Sequence, residues 1–272
     1  FNAYEPRYDK LDPLSNRSGA DYTAAAKEAG GAAKFAYLSV DFANPTGATV
    51  SLAARERVID LAEEMDIAVI EDAAYQSLRF DGDAIPPILA LEAERKNGDL
   101  EACRTIYCGS FSKTLSPGLR VGWVCAAMPV ISQLVLMKQA ADLHSATLNQ
   151  IAVASVAEQH FDSHIDTIRS AYRARRDAML EALHAHMPEG VSWTKPEGGM
   201  FIWVTLPDTL DGADLLKQSL ESERVAFVPG HAFFADGSGR NTLRLSYSTS
   251  TEGKIAEGIE RLGQLITRAL NG

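Results

Sequence analysis

The sequence predicts an α/β protein with a mostly parallel sheet, followed by a smaller α+β region. In the first part, short continuous apolar runs alternate with helical patterns and Gly/Pro loops. Parallel strands have such runs because helices cover both faces of their sheet. After Pro129 long helical patterns follow one another, and the last part alternates short strand-like runs with two helices. These three observations define the expected fold class.

Each predicted element has a local reason. Ser51 is an N-cap candidate, apolar residues then recur at helical spacing up to Met65, and the apolar run 67–70 follows as a strand. The other predicted strands of the first part are residues 35–40, 104–108 and 121–126. The later elements are predicted helices 131–142, 147–159, 162–186, 212–223 and 251–270, and predicted strands 201–206, 225–228 and 243–247. We place the domain boundary within helix 162–186, which gives domains 1–172 and 173–272.

Composition excludes several classes of protein. The 272 residues are 46% hydrophobic and carry a net charge of 26 − 36 = −10, which argues against nucleic-acid binding by bulk electrostatics. Apolar runs fall short of the roughly 18 residues of a membrane span, so we expect no membrane partner. Three cysteines without a C-x-x-C pair predict neither disulfides nor a zinc site, and a reducing cytoplasm is the expected location.

Polar residues follow the predicted strands, where ligands bind in open α/β sheets. They are Asn44 in Asn-Pro-Thr-Gly, Asp72 and Tyr75 in Glu-Asp-Ala-Ala-Tyr, Ser110, Ser112 and Lys113 in Ser-Phe-Ser-Lys, and Arg120. Taken singly, these motifs are typical of a β-turn, a helix cap and a solvated loop. Together they supply a carboxylate, an amide, a phenol, two hydroxyls, a guanidinium and an amine, which is the set that pyridoxal phosphate (PLP) requires.

With Arg244 late in the chain, the order and spacing of these motifs resemble the fold-type I, class I/II PLP-dependent aminotransferases. The stretches 142–150 and 196–203 are most similar to the subgroup of 2-aminoadipate, kynurenine and aromatic or branched-chain aminotransferases. The resemblance implies a large domain with a seven-stranded type of mostly parallel sheet and a smaller C-terminal α+β domain. It also implies that Phe1 lies inside the large domain, whose N-terminal part is then missing.

The resemblance assigns the residues that bind the cofactor ring. Lys113 is the catalytic lysine, which binds PLP covalently and moves the proton at the substrate α-carbon. Asp72 pairs with the ring nitrogen, and Asn44 and Tyr75 donate to the ring 3-oxygen. Tyr8 falls where the family has an aromatic ring stacked on the cofactor.

The remaining assignments concern the phosphate and the substrate. Ser110, Ser112 and Arg120 would anchor the phosphate, and Arg244 would clamp the substrate α-carboxylate bidentately. Asn44 is assigned to substrate binding as well. No metal site is expected.

Outside these motifs, Trp193, Phe201 and Trp203 are assigned to the core. The arginine cluster at residues 169–176 is assigned to an exposed helix face.

The function implied is transfer of an amino group from an aromatic, branched-chain or 2-aminoadipate type of amino acid to a 2-oxo acid. The expected acceptor is 2-oxoglutarate, the expected mechanism is ping-pong, and the expected assembly is a homodimer. Two alternatives stay open. The same residues serve PLP-dependent β-lyases, and aminotransferase-like domains also occur in transcription regulators behind a helix-turn-helix domain.

Overall fold

The computed structural model describes residues 5–271, which form two compact units. Among these residues, the first unit comprises 5–40, 50–77 and 83–161, and the second comprises 41–49, 78–82 and 162–271. The two short segments 41–49 and 78–82 thus belong to the second unit although they lie early in the sequence. The predicted domain boundary after residue 172 stays a prediction.

The first unit is built on a mixed four-stranded sheet. Its elements are α1 (Gly19–Glu28), β1 (Phe35–Leu38), α2 (Leu52–Met65), β2 (Ala68–Asp72), α3 (Ile88–Arg95), β3 (Thr105–Ser110), β4 (Gly122–Cys125), α4 (Met128–Ala141) and the start of α5 (Thr147–His186). The strand order is β1-β2-β3-β4, with the first two pairings parallel and the last antiparallel. The α/β class with a mostly parallel sheet is confirmed, and the described residues contribute four strands to it.

Strand β4 runs antiparallel to β3 because its connection is short. Only residues 111–121 separate the two strands, whereas a parallel crossover needs about a dozen residues or more and usually a helix.

Helix α2 and strand β2 form where the sequence predicts them. The Ser51 hydroxyl accepts a hydrogen bond from the Ala54 N–H (3.3 Å) at the start of α2, and Asp66 ends the helix in the left-handed conformation, with φ = 54°. The buried face of α2 packs Val58 and Ile59 into the same hydrophobic cluster as Val69 of β2. This packing fixes β2 and therefore the position at which its carboxyl end emerges.

The two acidic residues at the end of β2 point to opposite faces of the sheet, because side chains alternate along a strand. Glu71 is fully buried, and its oxygens accept the N–H groups of Ile88 (2.9 Å) and Leu89 (3.1 Å) at the start of α3. Glu71 is therefore a helix-capping residue. Asp72, its neighbour, is only partly buried.

The second unit is an α+β structure, as predicted. Besides the rest of α5 it contains β5 (Ser192–Trp193), β6 (Phe201–Thr205), α6 (Gly212–Gln218), β7 (Val228–Pro229), β8 (Thr242–Ser246) and α7 (Glu252–Asn271). The sheet order is β5-β6-β8-β7 with every pairing antiparallel. One face of α7 is buried, through Ile255, Ile259, Leu262, Leu265 and Ile266.

Several predicted boundaries are wrong. The predicted helices 147–159 and 162–186 are one continuous helix, α5, because no Gly or Pro interrupts the sequence between them. The predicted helix 212–223 is α-helical only as far as Gln218 and continues as a π-helical turn, Ser219–Glu223. The predicted strand 225–228 pairs only at Val228–Pro229, and α1 and α3 were not predicted at all.

The prediction of an exposed arginine face on α5 is wrong for Arg176. Its side chain is 8% exposed, forms ion pairs with Asp81 and Asp177, and donates to the Pro196 carbonyl (2.9 Å). Acidic partners within the second unit make this burial possible.

Within residues 5–271, no helix has the length and apolar character needed to span a membrane.

Candidate active site

The predicted site residues fall into two groups, one in each compact unit. Asp72, Tyr75, Ser110, Ser112, Lys113 and Arg120 lie in the first unit. Asn44 and Arg244 lie in the second unit. Each group is described by itself below.

In the first unit, the carboxyl end of β2 presents Asp72 and, three residues later, Tyr75. Asp72 is the last residue of β2, and its Oδ1 accepts the N–H of Ala74 (3.2 Å). The Tyr75 side chain is buried. Lys113, which comes from the loop after β3, places its Nζ 6.0 Å from the centroid of the Tyr75 ring. The fold therefore brings the amine of Lys113 to the residues that follow β2.

The loop that carries Lys113 is closed by its own hydrogen bonds. The Ser112 N–H donates to the Ser110 hydroxyl (3.0 Å), and the Phe111 carbonyl accepts the N–H groups of Leu115 (2.9 Å) and Ser116 (3.1 Å). Both predicted serine ligands are thus held together at the end of β3. Both serines are partly buried.

Arg120 ends the same loop in the left-handed conformation, with φ = 54°. It is exposed, and its Nη1 donates to the Pro117 carbonyl (3.1 Å). Its guanidinium therefore retains donors that a phosphate could accept.

Glycine is required at position 109, between the strand and this loop. A Cβ on Gly109 would lie 2.2 Å from the Trp123 ring, which stacks on Tyr107 with the two ring centroids 5.0 Å apart. Any side chain at position 109 would displace that ring. The glycine therefore lets β3 and β4 pair closely just before Ser110.

Sequence reasoning missed Tyr37, on β1. Its hydroxyl donates a hydrogen bond to Oδ2 of Asp72. Burial, and then the hydrogen bond to Asp72, raise the pKa of Tyr37 well above its usual range, so the phenol is a neutral donor. The available signal was a tyrosine inside a short apolar run that lies next to β2 in a parallel sheet.

Cys108 also lies beside Asp72, because these two residues are paired in the β2–β3 register. Burial, followed by the negative charge of Asp72, raises the pKa of the Cys108 thiol. The thiol is therefore protonated near neutral pH and is a poor nucleophile.

In the second unit, Arg244 and Asn44 contact each other. Arg244 lies on β8 opposite Trp203 of β6, and its Nη1 donates to Oδ1 of Asn44. The guanidinium carbon also lies 4.2 Å from the centroid of the Phe201 ring and 4.9 Å from that of Phe233. Two aromatic rings thus restrict the orientation of a planar cation. Phe201 is buried as predicted for a core residue, and it contacts this site as well.

The Asn44 loop is fixed by a glycine. Gly47 has φ = +69°, and a Cβ there would lie 2.7 Å from the Phe201 carbonyl. Its N–H donates to the Ala43 carbonyl (2.7 Å), which closes the turn after Asn44. The Asn-Pro-Thr-Gly motif therefore forms a tight turn against β6, and that turn presents Asn44 to Arg244.

Tyr8 is 55% exposed in the first unit. Its stacking role stays a prediction.

Comparison with known proteins identifies the family. The sequence profile described as "Aminotransferase class I and II" matches residues 38–262. The chain belongs to the class I and II aminotransferases. The resemblance inferred from the sequence motifs is confirmed. The matched range includes every predicted site residue except Tyr8.

Individual relatives agree with this family. The chain is 44% identical over 239 residues to a 2-aminoadipate transaminase of Thermus thermophilus, covering 88% of the chain and 58% of that relative. It is 39% identical to aromatic-amino-acid aminotransferase 1 of Thermococcus litoralis, covering 98% and 63%. A crystal structure of kynurenine aminotransferase from Pyrococcus horikoshii, in complex with PMP, KYN and KYA, has a TM-score of 0.86 and 40% identity, covering 93% of this chain and 61% of that one. The chain therefore has the family fold and spans about three fifths of the length of these relatives.

Proposed function

We propose that the protein is a PLP-dependent aminotransferase acting on an aromatic, branched-chain or 2-aminoadipate type of amino acid, with 2-oxoglutarate as amino acceptor. The observation that carries this proposal is the cluster of Asp72, Tyr75 and Lys113 at the ends of β2 and β3. Family membership and the names of the similar proteins support it. We further propose a ping-pong cycle, a homodimer, a cytoplasmic location and two domains, 1–172 and 173–272.

The residues present fit the cofactor, because each charged or polar part of PLP has a complementary group. Asp72 offers a carboxylate whose remaining lone pairs could hold a proton on the ring nitrogen. Tyr75 could donate to the ring 3-oxygen, and Ser110, Ser112 and Arg120 could donate to the phosphate. We propose that Asn44 also donates to the ring 3-oxygen, and that Tyr8 stacks on the ring.

PLP, when bound, supplies an electron sink that stabilises negative charge at the substrate α-carbon. The protein's own part is to move one proton and to orient the substrate. The Lys113 amine would hold the cofactor covalently, and the same amine would take the proton from the substrate α-carbon. Arg244 binds the α-carboxylate bidentately, and Asn44, already its hydrogen-bond partner, contributes to substrate binding.

The first test is spectroscopic. The full-length protein is purified with PLP, and the visible absorbance band of lysine-bound cofactor is recorded for the parent and for Lys113→Ala. Lys138→Ala is the matched control, because Lys138 lies on α4 and forms an exposed ion pair with Asp142 (2.9 Å). We expect the band in the parent and the control and its loss in Lys113→Ala. A parent protein without the band would refute the proposal.

The second test identifies the reaction and the donor. A panel of amino acids is offered with 2-oxoglutarate, and glutamate and the product oxo acids are measured. We expect glutamate formation with aromatic, branched-chain or 2-aminoadipate donors. Release of ammonia and pyruvate from a cysteine conjugate without any oxo acid would instead identify an elimination enzyme.

A further inference from the structure

Tyr37 connects β1 to the candidate cofactor residue on the neighbouring strand. It is aligned with Ile70 in the β1–β2 register, two residues before Asp72, and its hydroxyl reaches Oδ2 of Asp72. Tyr37 is half-exposed, and its hydroxyl donates a hydrogen bond to Asp72.

Both oxygens of Asp72 accept hydrogen bonds in this arrangement. Oδ1 accepts the N–H of Ala74, two residues further along the chain, and Oδ2 accepts the hydroxyl of Tyr37 on the adjacent strand. A carboxylate has about four lone-pair sites, so acceptor capacity remains for one further donor. Two donors on different oxygens fix the rotation of the carboxylate.

We propose that Tyr37 is a positioning residue, which holds the Asp72 carboxylate in one orientation for the ring nitrogen of PLP. This inference rests on the proposed function. Because Tyr37 acts through Asp72, removing the Tyr37 hydroxyl weakens cofactor binding and changes the protonation and hydrogen bonding of the ring nitrogen. Because the proposal gives it no contact with the amino acid, KM for the amino donor stays unchanged while kcat falls.

The test is a double-mutant cycle on cofactor affinity. The apoprotein is titrated with PLP, and the dissociation constant is measured for the parent, Tyr37→Phe, Asp72→Asn and the double variant. Tyr37→Phe keeps the ring on β1 and removes only the hydroxyl. We expect it to weaken PLP binding about tenfold in the parent and less than about twofold in the Asp72→Asn background, because interacting residues are not additive.

Tyr107→Phe is the matched control. Tyr107 is a phenol on β3 of the same sheet, and its hydroxyl donates to the neutral side chain of Gln76. Removing that hydroxyl is the same chemical change at a group that donates to Gln76. We expect less than about a twofold change in PLP affinity.

A spectroscopic readout separates positioning from general loosening of the sheet. With PLP labelled with nitrogen-15 in the ring, the ring-nitrogen resonance reports its protonation and hydrogen bonding. We expect this resonance to move in Tyr37→Phe and to stay in place in Tyr107→Phe.

The outcomes are distinguishable. Equal losses of affinity from Tyr37→Phe in the parent and in Asp72→Asn, or an unmoved ring-nitrogen resonance, would overturn the role of Tyr37 and leave the proposed function intact. A parent protein that shows no Lys113-dependent PLP binding would overturn both.

Discussion

Glu71 and Asp72 are adjacent carboxylates in different surroundings, and substitution of each should reveal a different role. Glu71 is fully buried and accepts the N–H groups of Ile88 (2.9 Å) and Leu89 (3.1 Å). Glu71→Ala removes the acceptor of two buried donors at the start of α3. Because each of the two unsatisfied buried donors costs about 1–3 kcal/mol, we expect the free energy of unfolding to fall by about 2–6 kcal/mol.

Glu71→Gln is a milder version of the same perturbation. The amide oxygen of glutamine can still accept one of the two N–H groups, but its NH₂ group then faces the second N–H, which is also a donor. We therefore expect the free energy of unfolding to fall by about 1–3 kcal/mol. Glu63→Gln is the matched control, because Glu63 forms an exposed ion pair with Lys96 (2.5 Å) and such pairs contribute at most about 1 kcal/mol. Urea unfolding followed by circular dichroism measures these differences.

Amide hydrogen exchange gives the local readout. A loss of about 3 kcal/mol in local stability corresponds to roughly a hundredfold faster exchange. We expect this acceleration at the Ile88 and Leu89 amides in Glu71→Ala, whereas Asp72→Asn should leave them unchanged and weaken PLP binding instead. If Glu71→Ala unfolds within about 1 kcal/mol of the parent, or if Asp72→Asn destabilises α3 to the same extent, the division of roles is refuted.

Two further predictions concern the second unit. Arg244→Lys should raise KM for the amino donor by roughly tenfold to a hundredfold in steady-state assays, because an ammonium cannot bind a carboxylate bidentately, and an unchanged KM would remove Arg244 from carboxylate binding. Asp211 caps α6, and hydrogen bonds from the Ala213 N–H and then from Arg240 lower its pKa. Because the pKa of Asp211 is lower in the folded protein than in the unfolded chain, its negative charge stabilises the fold at pH values above the unfolded pKa of about 3.9. This stabilisation is lost as the pH falls through the folded-state pKa of Asp211. Asp211→Asn should therefore be less stable than the parent by about 0.3–1 kcal/mol at pH 6, and this difference in the free energy of unfolding should shrink towards pH 3. Urea titrations measure the difference at each pH. A difference that does not depend on pH would contradict a stabilising role for the Asp211 charge.

The sequence contained most of the information about local structure and about which residue types surround the candidate site. The helix α2 and the strand β2 follow from an N-cap serine, helical spacing and an apolar run, and all of these are local features. The motif residues around Asn44, Asp72 and Lys113 are candidates because they lie just after predicted strands, and their order and spacing carry the resemblance to the family.

Tertiary structure decided which of these residues meet. Glu71 and Asp72 look alike in the sequence, yet strand alternation directs one to the start of α3 and the other to Tyr37. The sequence places Arg176 in an exposed arginine cluster, but its side chain is buried and pairs with Asp81, which lies 95 residues away in the sequence. The contact between Asn44 and Arg244 joins residues 200 positions apart.

The sequence by itself therefore determined the α/β class, the main elements and the residue types of the candidate site. Hydrophobic periodicity and motif spacing depend only on residues that lie close together in the sequence. Only the tertiary structure decided the antiparallel β4, the unbroken α5 and the partners of Tyr37 and Arg244. Strand pairing, side-chain burial and long-range hydrogen bonds depend on which surfaces come together, and a local pattern does not contain that information.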